Sequence, residues 1–430
     1  MLTQYSKYDT RLCELANALR IQDHRSRETD KNEQTTIGGV IVHISQQEFT
    51  RRKKVIRDAM VKENVDVVLV GGSDKWEQRG MIRYLTGYYV PIFEEYVLLP
   101  VEGPLTFFAH YSYGAKHALD YPAIEKADFI PLEDVNADPG KRVAQYINGY
   151  KPKKIGVTYT NMSANFYLSV VAHLDPKIEI VDFTNSFDLA RMPKSDEEIA
   201  LSEAGIKVNE DAFFAYLKGV REGGREMDAI NEAAHVVRKA GCEDQYWMCG
   251  SGAAPAQGSI PLAIERNHVW KKGDLNVVVI EIAGVGGHFG EITHLISLGD
   301  PAPEIVKAFN AVSEAQKLAS AIIKPGVPIS DVADFVNQYF IEEGYYPKDP
   351  VEKEKYTTGN LLGHGQGLDT MELPYITSTD KTIIQPGTRI NIHPNLALPN
   401  GVRAISCDCY VATETGSRRL SNMPYDLIVV

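Results

Sequence analysis

The spacing of hydrophobic and polar residues divides the chain into three parts. Residues 1 to about 36 are polar and rich in Arg, Asp and Gln, with one modestly amphipathic stretch at 12–19. This pattern is typical of an arm or a peripheral helix that packs on another surface. Regular helix and strand periods start at residue 37, so the sequence predicts an N-terminal arm over 1–45 ahead of the folded domains.

Residues 46–190 alternate between helical and strand periods. An amphipathic helix predicted over 47–63 leads into the apolar run 65–70, which ends in Gly71 and Gly72. A helix followed by an apolar strand and glycines indicates an α/β domain. The other predicted elements of this domain are strands at 96–99, 105–109, 154–157 and 178–181 and helices at 139–148 and 161–174.

After a linker at 190–194 the pattern changes to long helices and paired strands. Ser195 and Glu198 have the spacing of a capping box, which predicts the start of a helix over 196–217. Helices and strands segregate along this part of the chain, so an α+β domain is expected over 195–430. Its other predicted elements are helices from 226, at 303–322 and at 329–342, and strands at 275–283, 292–298, 388–392 and 407–413.

Size and composition fit a globular protein of more than one domain. The chain has 430 residues, which is more than a single hydrophobic core usually supports. Hydrophobic residues make up 44% and charged residues 24%. Apolar runs stay shorter than about 18 residues, and the N-terminus lacks the basic start and apolar core of a secretory signal. We therefore expect no membrane span and a cytoplasmic location.

Charge and cysteine content exclude two further classes. The formal net charge of -12 disfavours nucleic acid as a partner, because binding to a phosphate backbone requires a basic surface. Five cysteines form no disulfide framework, and the pairs Cys242/Cys249 and Cys407/Cys409 lack zinc-finger spacing. Reduced thiols are expected.

Residues 273–299 hold the first candidate chemistry. A Gly-Asp turn, an apolar strand, a glycine-rich reversal and a second strand predict a hairpin that carries Glu281 and Glu291 on neighbouring strands. Two carboxylates that face one cleft can bind a cation, or they can separate their pKa values so that one serves as acid and the other as base. Two solvated hairpin carboxylates are the alternative.

Further candidates follow in the motifs GHGQGL at 363–368, MELP at 371–374, IHP at 392–394 and CDC at 407–409. His364 lies between glycines, where the backbone can approach a ligand, and is expected to act as a general acid/base or as a metal ligand. Glu372 is expected to be either a catalytic acid or a hydrogen-bond brace. His393, at a strand end before a proline, is a catalytic candidate, and Cys407 either lines the cleft or is a small buried thiol.

Two further motifs are KSDEEI at 194–199 and RYLTGY at 83–88. In order and spacing, the whole set resembles the creatinase / aminopeptidase P / methionine aminopeptidase superfamily. The resemblance implies an α/β N-terminal creatinase/prolidase-like domain and an α+β catalytic domain of the pita-bread fold. Residues 280–284 are more similar to creatinase and ectoine hydrolase than to the metallopeptidases. A homodimer is also implied.

Metallopeptidases of this superfamily bind two metal ions through Asp, Asp, His, Glu and Glu. Carried over by position, the first Asp falls on Val279 or Ile280, and the others fall on Glu291, His364, His393 and Cys407. One ligand is thus expected to be lost and three to be changed. Proline-specific peptidases of the family also contact their substrate with a histidine that precedes the Glu of the 371–374 motif, and this chain has Met371 at that position. Two ions are not expected, since their repulsion needs carboxylates to offset it. Two options remain: the site holds no metal, or it holds one divalent ion bound by Glu291, His364, His393 and Cys407.

The resemblance implies a small-molecule hydrolase that cleaves a C–N bond as creatinase does, with His364 as acid/base and Glu281, Glu291, Glu372 and His393 around it. The alternatives are a metallopeptidase of the aminopeptidase P or prolidase type with an altered metal site, a lyase of the dimethylsulfoniopropionate lyase kind, and a non-catalytic relative. Loss of a ligand and of the substrate histidine disfavours the metallopeptidase.

Substrate-binding candidates lie in both domains. Where creatinase holds its ligand's carboxylate with an arginine, this chain has Phe93, Glu94 and Glu95. An acidic rim beside an aromatic ring favours a small molecule with a cationic group. Arg403 and Cys407 are the candidates for contacts in the catalytic domain.

Overall fold

The computed structural model describes residues 44–75, 77–129, 138–253, 267–349, 361–398 and 401–430, together with the backbone of a short ladder formed by β1 (Thr36–Ile37) and β2 (Val40–Ile41). The predicted arm over 1–45 lies almost entirely outside the described residues. The rest forms an α/β domain followed by an α+β domain, which confirms the expected fold class.

The N-terminal domain is built on a mixed sheet whose strands follow the order β6-β5-β4-β3-β7-β8. Strand β4 is antiparallel to β3 and β5, and the remaining pairs are parallel. The strands are β3 (Val67–Gly72), β4 (Glu95–Pro100), β5 (Thr106–Ala109), β6 (Lys126–Phe129), β7 (Lys154–Val157) and β8 (Glu179–Asp182). The helices are α1 (Gln46–Glu63), α2 (Gly80–Thr86), α3 (Ser112–Ala118), α4 (Pro139–Tyr150), α5 (Ala164–His173) and α6 (Thr184–Arg191).

Both faces of this sheet are buried. In β3, Val68 and Val70 belong to one hydrophobic core, while Val67 and Leu69 belong to a second core on the opposite face. Because side chains alternate between the faces of a strand, a sheet covered on both sides needs a continuous apolar run rather than an alternating one. This explains why the run at 65–70 was a clear strand signal.

The C-terminal domain combines two sheets with long helices. One sheet has the order β19-β11-β10-β9, the other β13-β12-β14-β17-β18. Their strands are β9 (Asp244–Gly252), β10 (Leu275–Ala283), β11 (Phe289–Ser297), β12 (Gly363–Gly365), β13 (Glu372–Tyr375), β14 (Arg389–Ile392), β17 (Asp408–Ala412), β18 (Ser417–Arg419) and β19 (Ile428–Val429). A separate ribbon pairs β15 (Asn395–Ala397) with β16 (Arg403–Ile405). The helices are α7 (Asp196–Gly219), α8 (Glu226–Lys239), α9 (Pro303–Ile322) and α10 (Ile329–Glu342).

Two local features position the site within this domain. The Ser195 side chain accepts a hydrogen bond from the Glu198 backbone, and Glu198 bonds back to the Ser195 backbone, so the predicted capping box starts α7. An isolated bridge between Thr293 and Cys407 connects the two sheets, with the Cys407 N–H donating to the Thr293 carbonyl at 2.9 Å. Among the described residues, no helix has the length and apolar character needed to cross a bilayer.

The two domains meet at the first turn of α2. The Gly80 N–H donates to Asp369 Oδ1 at 2.7 Å, and Arg191 Nη1 lies 2.7 Å from Asp369 Oδ2. A Cβ added at Gly80 would lie 2.2 Å from Asp369 Oδ2 and 2.6 Å from Arg191 Nη1. Only a residue without a side chain therefore fits between the domains at this point.

Gly80→Ala is expected to lower the free energy of unfolding by at least about 2 kcal/mol, because the new methyl group forces Asp369 and Arg191 apart. Gly149→Ala is the matched control: Gly149 lies in α4 with nothing within 4 Å of its would-be Cβ, and that change should stabilise the protein by about 0.5–1 kcal/mol. Urea unfolding of both variants checks this, and equal effects would contradict the proposed packing constraint.

Candidate active site

Glu281 and Glu291 face each other directly across the hairpin of β10 and β11. Both side chains are buried. The resemblance placed Val279 or Ile280 at the first metal-ligand position, but these residues pair with Thr293 and Ile292 instead. The carboxylate opposite Glu291 is Glu281, so the cross-strand partner of Glu291 is acidic although Val279 and Ile280 are aliphatic. The hairpin length, which sequence spacing left open, decides the point.

His364 lies on β12 and points its ring towards Glu291. Its Nδ1 lies 2.9 Å from the Gly365 carbonyl, which can only accept, so Nδ1 is assigned the proton of the neutral ring. Nε2 lies 3.6 Å from Glu291 Oε2. The flanking glycines are required by packing, because a Cβ at Gly363 would lie 2.2 Å from the Asn391 carbonyl and one at Gly365 would lie 2.0 Å from the Leu373 carbonyl.

Several donors converge on Glu291. The Thr293 hydroxyl donates to Oε1 at 2.9 Å, and the Asn391 amide donates to Oε2 at 3.2 Å. Burial opposes a charge on Glu291, but the imidazoles of His393 and His364 and the hydrogen bonds from Thr293 and Cys407 outweigh it and lower its pKa. Glu291 is therefore the ionised member of the pair.

Glu281 has the opposite environment. Burial and the charge of Glu291 raise the pKa of Glu281 well above its usual value, although Gln366 donates to its Oε1 at 2.6 Å. The charge of each carboxylate disfavours ionisation of the other, so the two groups lose their protons in separate steps. These opposed pKa shifts are the condition that the acid-and-base use of the two carboxyl groups requires.

His393 and Cys407 complete the cluster as neutral groups. The rings of His393 and His364 lie 5.1 Å apart between centroids. Burial, and then the neighbouring His364, lower the pKa of His393 to about 4, so it is uncharged at neutral pH. Burial also raises the pKa of the Cys407 thiol, and Glu291 adds to this effect. A soft thiolate ligand is therefore not preformed at this position.

Glu372 lies in a buried ion-pair network at the domain boundary. Lys194 Nζ lies 2.5 Å and Arg191 Nη1 3.1 Å from its carboxylate oxygens, and the Asp369 N–H donates to it at 3.1 Å. These two cations outweigh burial and lower the pKa of Glu372 to about 2. Of the two roles considered from the sequence, these contacts are those of the hydrogen-bond brace.

The three substrate-binding candidates of the N-terminal domain, Phe93, Glu94 and Glu95, differ in how far their side chains are buried. Phe93 is 44% exposed and stacks on His110, with 5.3 Å between ring centroids. Together with Glu94 it lines a cavity of about 660 Å³. Glu95 is 4% exposed, and burial raises its pKa to about 8, so it is uncharged at neutral pH. The expected acidic rim therefore consists of Glu94 without its neighbour.

Arg403, the remaining candidate, lies on β16. Its guanidinium donates to Asn395 Oδ1 through Nε at 3.0 Å and Nη2 at 2.7 Å. Its charge contributes to the lowered pKa of His393.

Sequence reasoning missed the polar residues that hold the carboxylates: Thr293, Gln366, Arg389 and Asn391. Two of them carried a usable signal. Thr293 is two residues from Glu291 on the same strand, so the two share a face, and Asn391 comes two residues before His393 near the end of β14.

The donor set does not fit the two-metal centre of the metallopeptidases. Protein donors occupy both oxygens of Glu291 and one oxygen of Glu281, where cations would have to bind. Across the described residues, no three or more His, Cys, Asp or Glu side chains are arranged so that they could hold a metal ion. An imidazole and a thiol, moreover, stand where the resemblance places two carboxylates, which leaves less negative charge to offset two cations.

An α/β domain joined to a two-sheet domain that buries facing carboxylates and histidines defines a pita-bread hydrolase. The chain belongs to metallopeptidase family M24, whose model matches residues 201–421, and the model of the creatinase/prolidase N-terminal domain matches residues 51–193. It is a hydrolase that acts on C–N bonds, as expected.

Several proteins similar to this chain carry the names of peptidases. The chain is 25% identical to the Xaa-Pro dipeptidase of Pyrococcus horikoshii over 384 residues, which is 87% of this chain and 98% of that protein. It is 26% identical to the uncharacterized peptidase YqhT of Bacillus subtilis over 67% of this chain and 78% of that one. The crystal structure of dipeptidase PepE from Mycobacterium ulcerans shares the fold, with a TM-score of 0.76, 21% identity and coverage of 90% and 99% of the two chains. These relatives favour the peptidase alternative over creatinase-like hydrolysis.

Glu372→Gln is expected to lower the free energy of unfolding at pH 7 by about 3 kcal/mol, because a carboxyl whose pKa falls from 4.5 to about 2 on folding stabilises the native state when ionised. That contribution is present above pH 4.5 and is lost as the pH falls towards 2, so the variant should be less acid-sensitive than the wild type. Urea unfolding at several pH values checks this.

Asp58→Asn is the control for this prediction. Asp58 forms an exposed ion pair with Lys54 on α1, and such pairs contribute little. It should leave both the stability at pH 7 and the acid sensitivity unchanged. Equal acid sensitivity of Glu372→Gln and the wild type would contradict the assignment.

Proposed function

We propose that the chain hydrolyses the amide C–N bond of a small, dipeptide-sized substrate. The observation that carries this proposal is the pair of carboxyl groups that face each other across the hairpin: the pKa of Glu291, which faces His364 Nε2, is lowered, and that of Glu281 is raised. Amide hydrolysis requires a base for the attacking water and an acid for the leaving nitrogen. The names of the relatives, Xaa-Pro dipeptidase and peptidase, support the same substrate class.

The proposed steps use the groups in these protonation states. His364 Nε2 accepts a proton from a water molecule whose oxygen attacks the substrate carbonyl, and Glu291 stabilises the resulting imidazolium. Glu281 then donates its proton to the leaving nitrogen as the C–N bond breaks. The products are a carboxylic acid and an amine, and return of the proton from His364 to Glu281 restores the starting state.

The first test is hydrolysis of prolyl dipeptides by the purified protein before and after dialysis against a chelator. Turnover is expected in both samples, because Glu281, Glu291 and His364 supply the acid and the base. Metal analysis by mass spectrometry should accompany the assay. Turnover that disappears on dialysis and returns with manganese would replace this mechanism with a metal-dependent one.

His364→Gln is expected to lower kcat at least about 100-fold, because it removes the group that accepts the proton from water. His117→Gln is the control, since His117 is an exposed residue of the N-terminal domain. It should retain the activity of the wild type. Comparable activity of the two variants would contradict the role of His364.

We further propose that Glu94 and Phe93 favour a substrate with a cationic group. Glu94 lines the same cavity as the aromatic rings of Phe93, Tyr96 and Phe166, and a carboxylate beside aromatic rings attracts amines. Glu94→Gln should therefore raise KM for Lys-Pro about tenfold relative to Ala-Pro. Glu95→Gln should leave that ratio unchanged, because Glu95 is already uncharged at neutral pH. Equal ratios in all three proteins would remove the proposal.

A further inference from the structure

Arg389 lies at the centre of a buried polar chain that leads to Glu281. Its Nη1 donates to the Ser202 hydroxyl on α7 at 3.0 Å, and its Nη2 donates to Gln366 Oε1 at 2.7 Å. Gln366 Nε2 then donates to Glu281 Oε1 at 2.6 Å. Arg389, Gln366 and Ser202 are each at most 1% exposed, so bulk water does not compete for these groups.

The donor and acceptor atoms available on each side chain determine the direction of the hydrogen bonds that link Arg389, Gln366 and Glu281. A guanidinium has donors only, so the atom of Gln366 that faces Arg389 must be its oxygen. The amide NH₂ of Gln366 must then face Glu281, and the Glu281 oxygen that it contacts must accept. Arg389 therefore fixes the orientation of an amide that could otherwise be turned by 180°.

This orientation determines which oxygen of Glu281 can exchange a proton. Oε1 accepts from Gln366, and the unprotonated oxygen of a carboxyl group is the better acceptor, so this contact favours Oε2 as the oxygen that carries a proton on Glu281. If the amide were turned, its oxygen would face Glu281 and would hold that proton in a hydrogen bond. The acid would then be directed towards Gln366 and could not be donated to another group.

We propose that Arg389 and Gln366 are positioning residues that keep Glu281 Oε2 as the oxygen that donates to the leaving nitrogen. The inference rests on the proposed role of Glu281 in amide hydrolysis. Neither residue contacts the reacting atoms. Arg389 acts through Gln366, and Gln366 acts through Glu281, so both should affect the chemical step more than substrate binding.

Gln366→Glu tests the proposal. The new carboxylate still accepts from Arg389, which keeps the buried guanidinium paired, but it cannot donate to Glu281 and instead attracts the proton of that group. We expect a folded protein whose kcat for the prolyl dipeptide falls at least about tenfold while KM changes less than about twofold. A folded variant with the kcat of the wild type would overturn the proposal.

The chain offers a matched control in Gln338→Glu. Gln338 also donates to a glutamate, Glu342 Oε1 at 2.8 Å, but on the exposed surface of α10. The same chemical change is made there without altering the hydrogen bonds that link Arg389, Gln366 and Glu281. It should leave kcat, KM and the thermal midpoint unchanged.

A second measurement needs no turnover. Arg389→Lys retains the charge and one donor but cannot bridge Ser202 and Gln366, so it should weaken these hydrogen bonds without leaving a cavity. If Arg389 acts on Glu281, the losses in thermal midpoint caused by Arg389→Lys and Glu281→Gln should not add in the double variant. Additive losses would contradict the proposal that Arg389 acts on Glu281, even if Gln366→Glu fails to fold. If the wild type hydrolyses no dipeptide but the losses are not additive, the proposed function is wrong, while the action of Arg389 on Glu281 is confirmed.

Discussion

The register between β10 and β11 is the constraint on which the site depends. Glu281 and Glu291 are paired residue to residue, and the strands that carry them are buried along their whole length. A shift of one residue would move every side chain of one strand to the opposite face, placing a carboxylate among the apolar side chains of the core. The hydrophobic pattern that buries these strands therefore also keeps the two carboxyl groups together.

The segment 363–375 joins this hairpin to the rest of the molecule. At one end His364 and Gln366 contact the two facing carboxyl groups, and at the other end Glu372 accepts from Lys194 and Arg191. The same segment thus has a charged anchor at the domain boundary and neutral or ionisable groups at the site. These roles match the contacts of the two glutamates: Glu372 accepts from two cations, whereas Glu281 accepts from the neutral amide of Gln366.

Much of the fold could be predicted from the sequence because it follows from local patterns. The continuous apolar run of β3, the capping box at Ser195 and the hairpin of β10 and β11 each depend on residues close together in the chain. The short helices α2 and α3 were not predicted, since seven residues cover only about two helical turns. Strand β6 was not predicted because its side chains are exposed or half-buried and form no apolar run. The facing of Glu281 and Glu291 followed from the hairpin, but its length could not be fixed by spacing alone.

The partners of the candidate residues were harder to predict because they depend on burial and on contacts between distant segments. Adjacent residues at the start of a strand point to opposite sides, and this separates Glu94 from Glu95. The alternation was available in the sequence. The contact of Arg389 with Gln366 was not, because nothing in either motif shows which strands become neighbours.

The polar chain through Arg389 has a consequence for how the protein acquires its site. Glu281 and Gln366 are 85 positions apart, Glu291 and Asn391 are 100 apart, and Ser202 and Arg389 are 187 apart. Contacts over such separations form only after long stretches of chain have been brought together, which is entropically costly and slow. The hairpin can pair early from its own residues, but its two glutamates acquire their hydrogen-bond donors only when the last third of the polypeptide has been synthesised and folded onto it. A nascent or truncated chain therefore contains the carboxyl pair without the environment that separates their acidities.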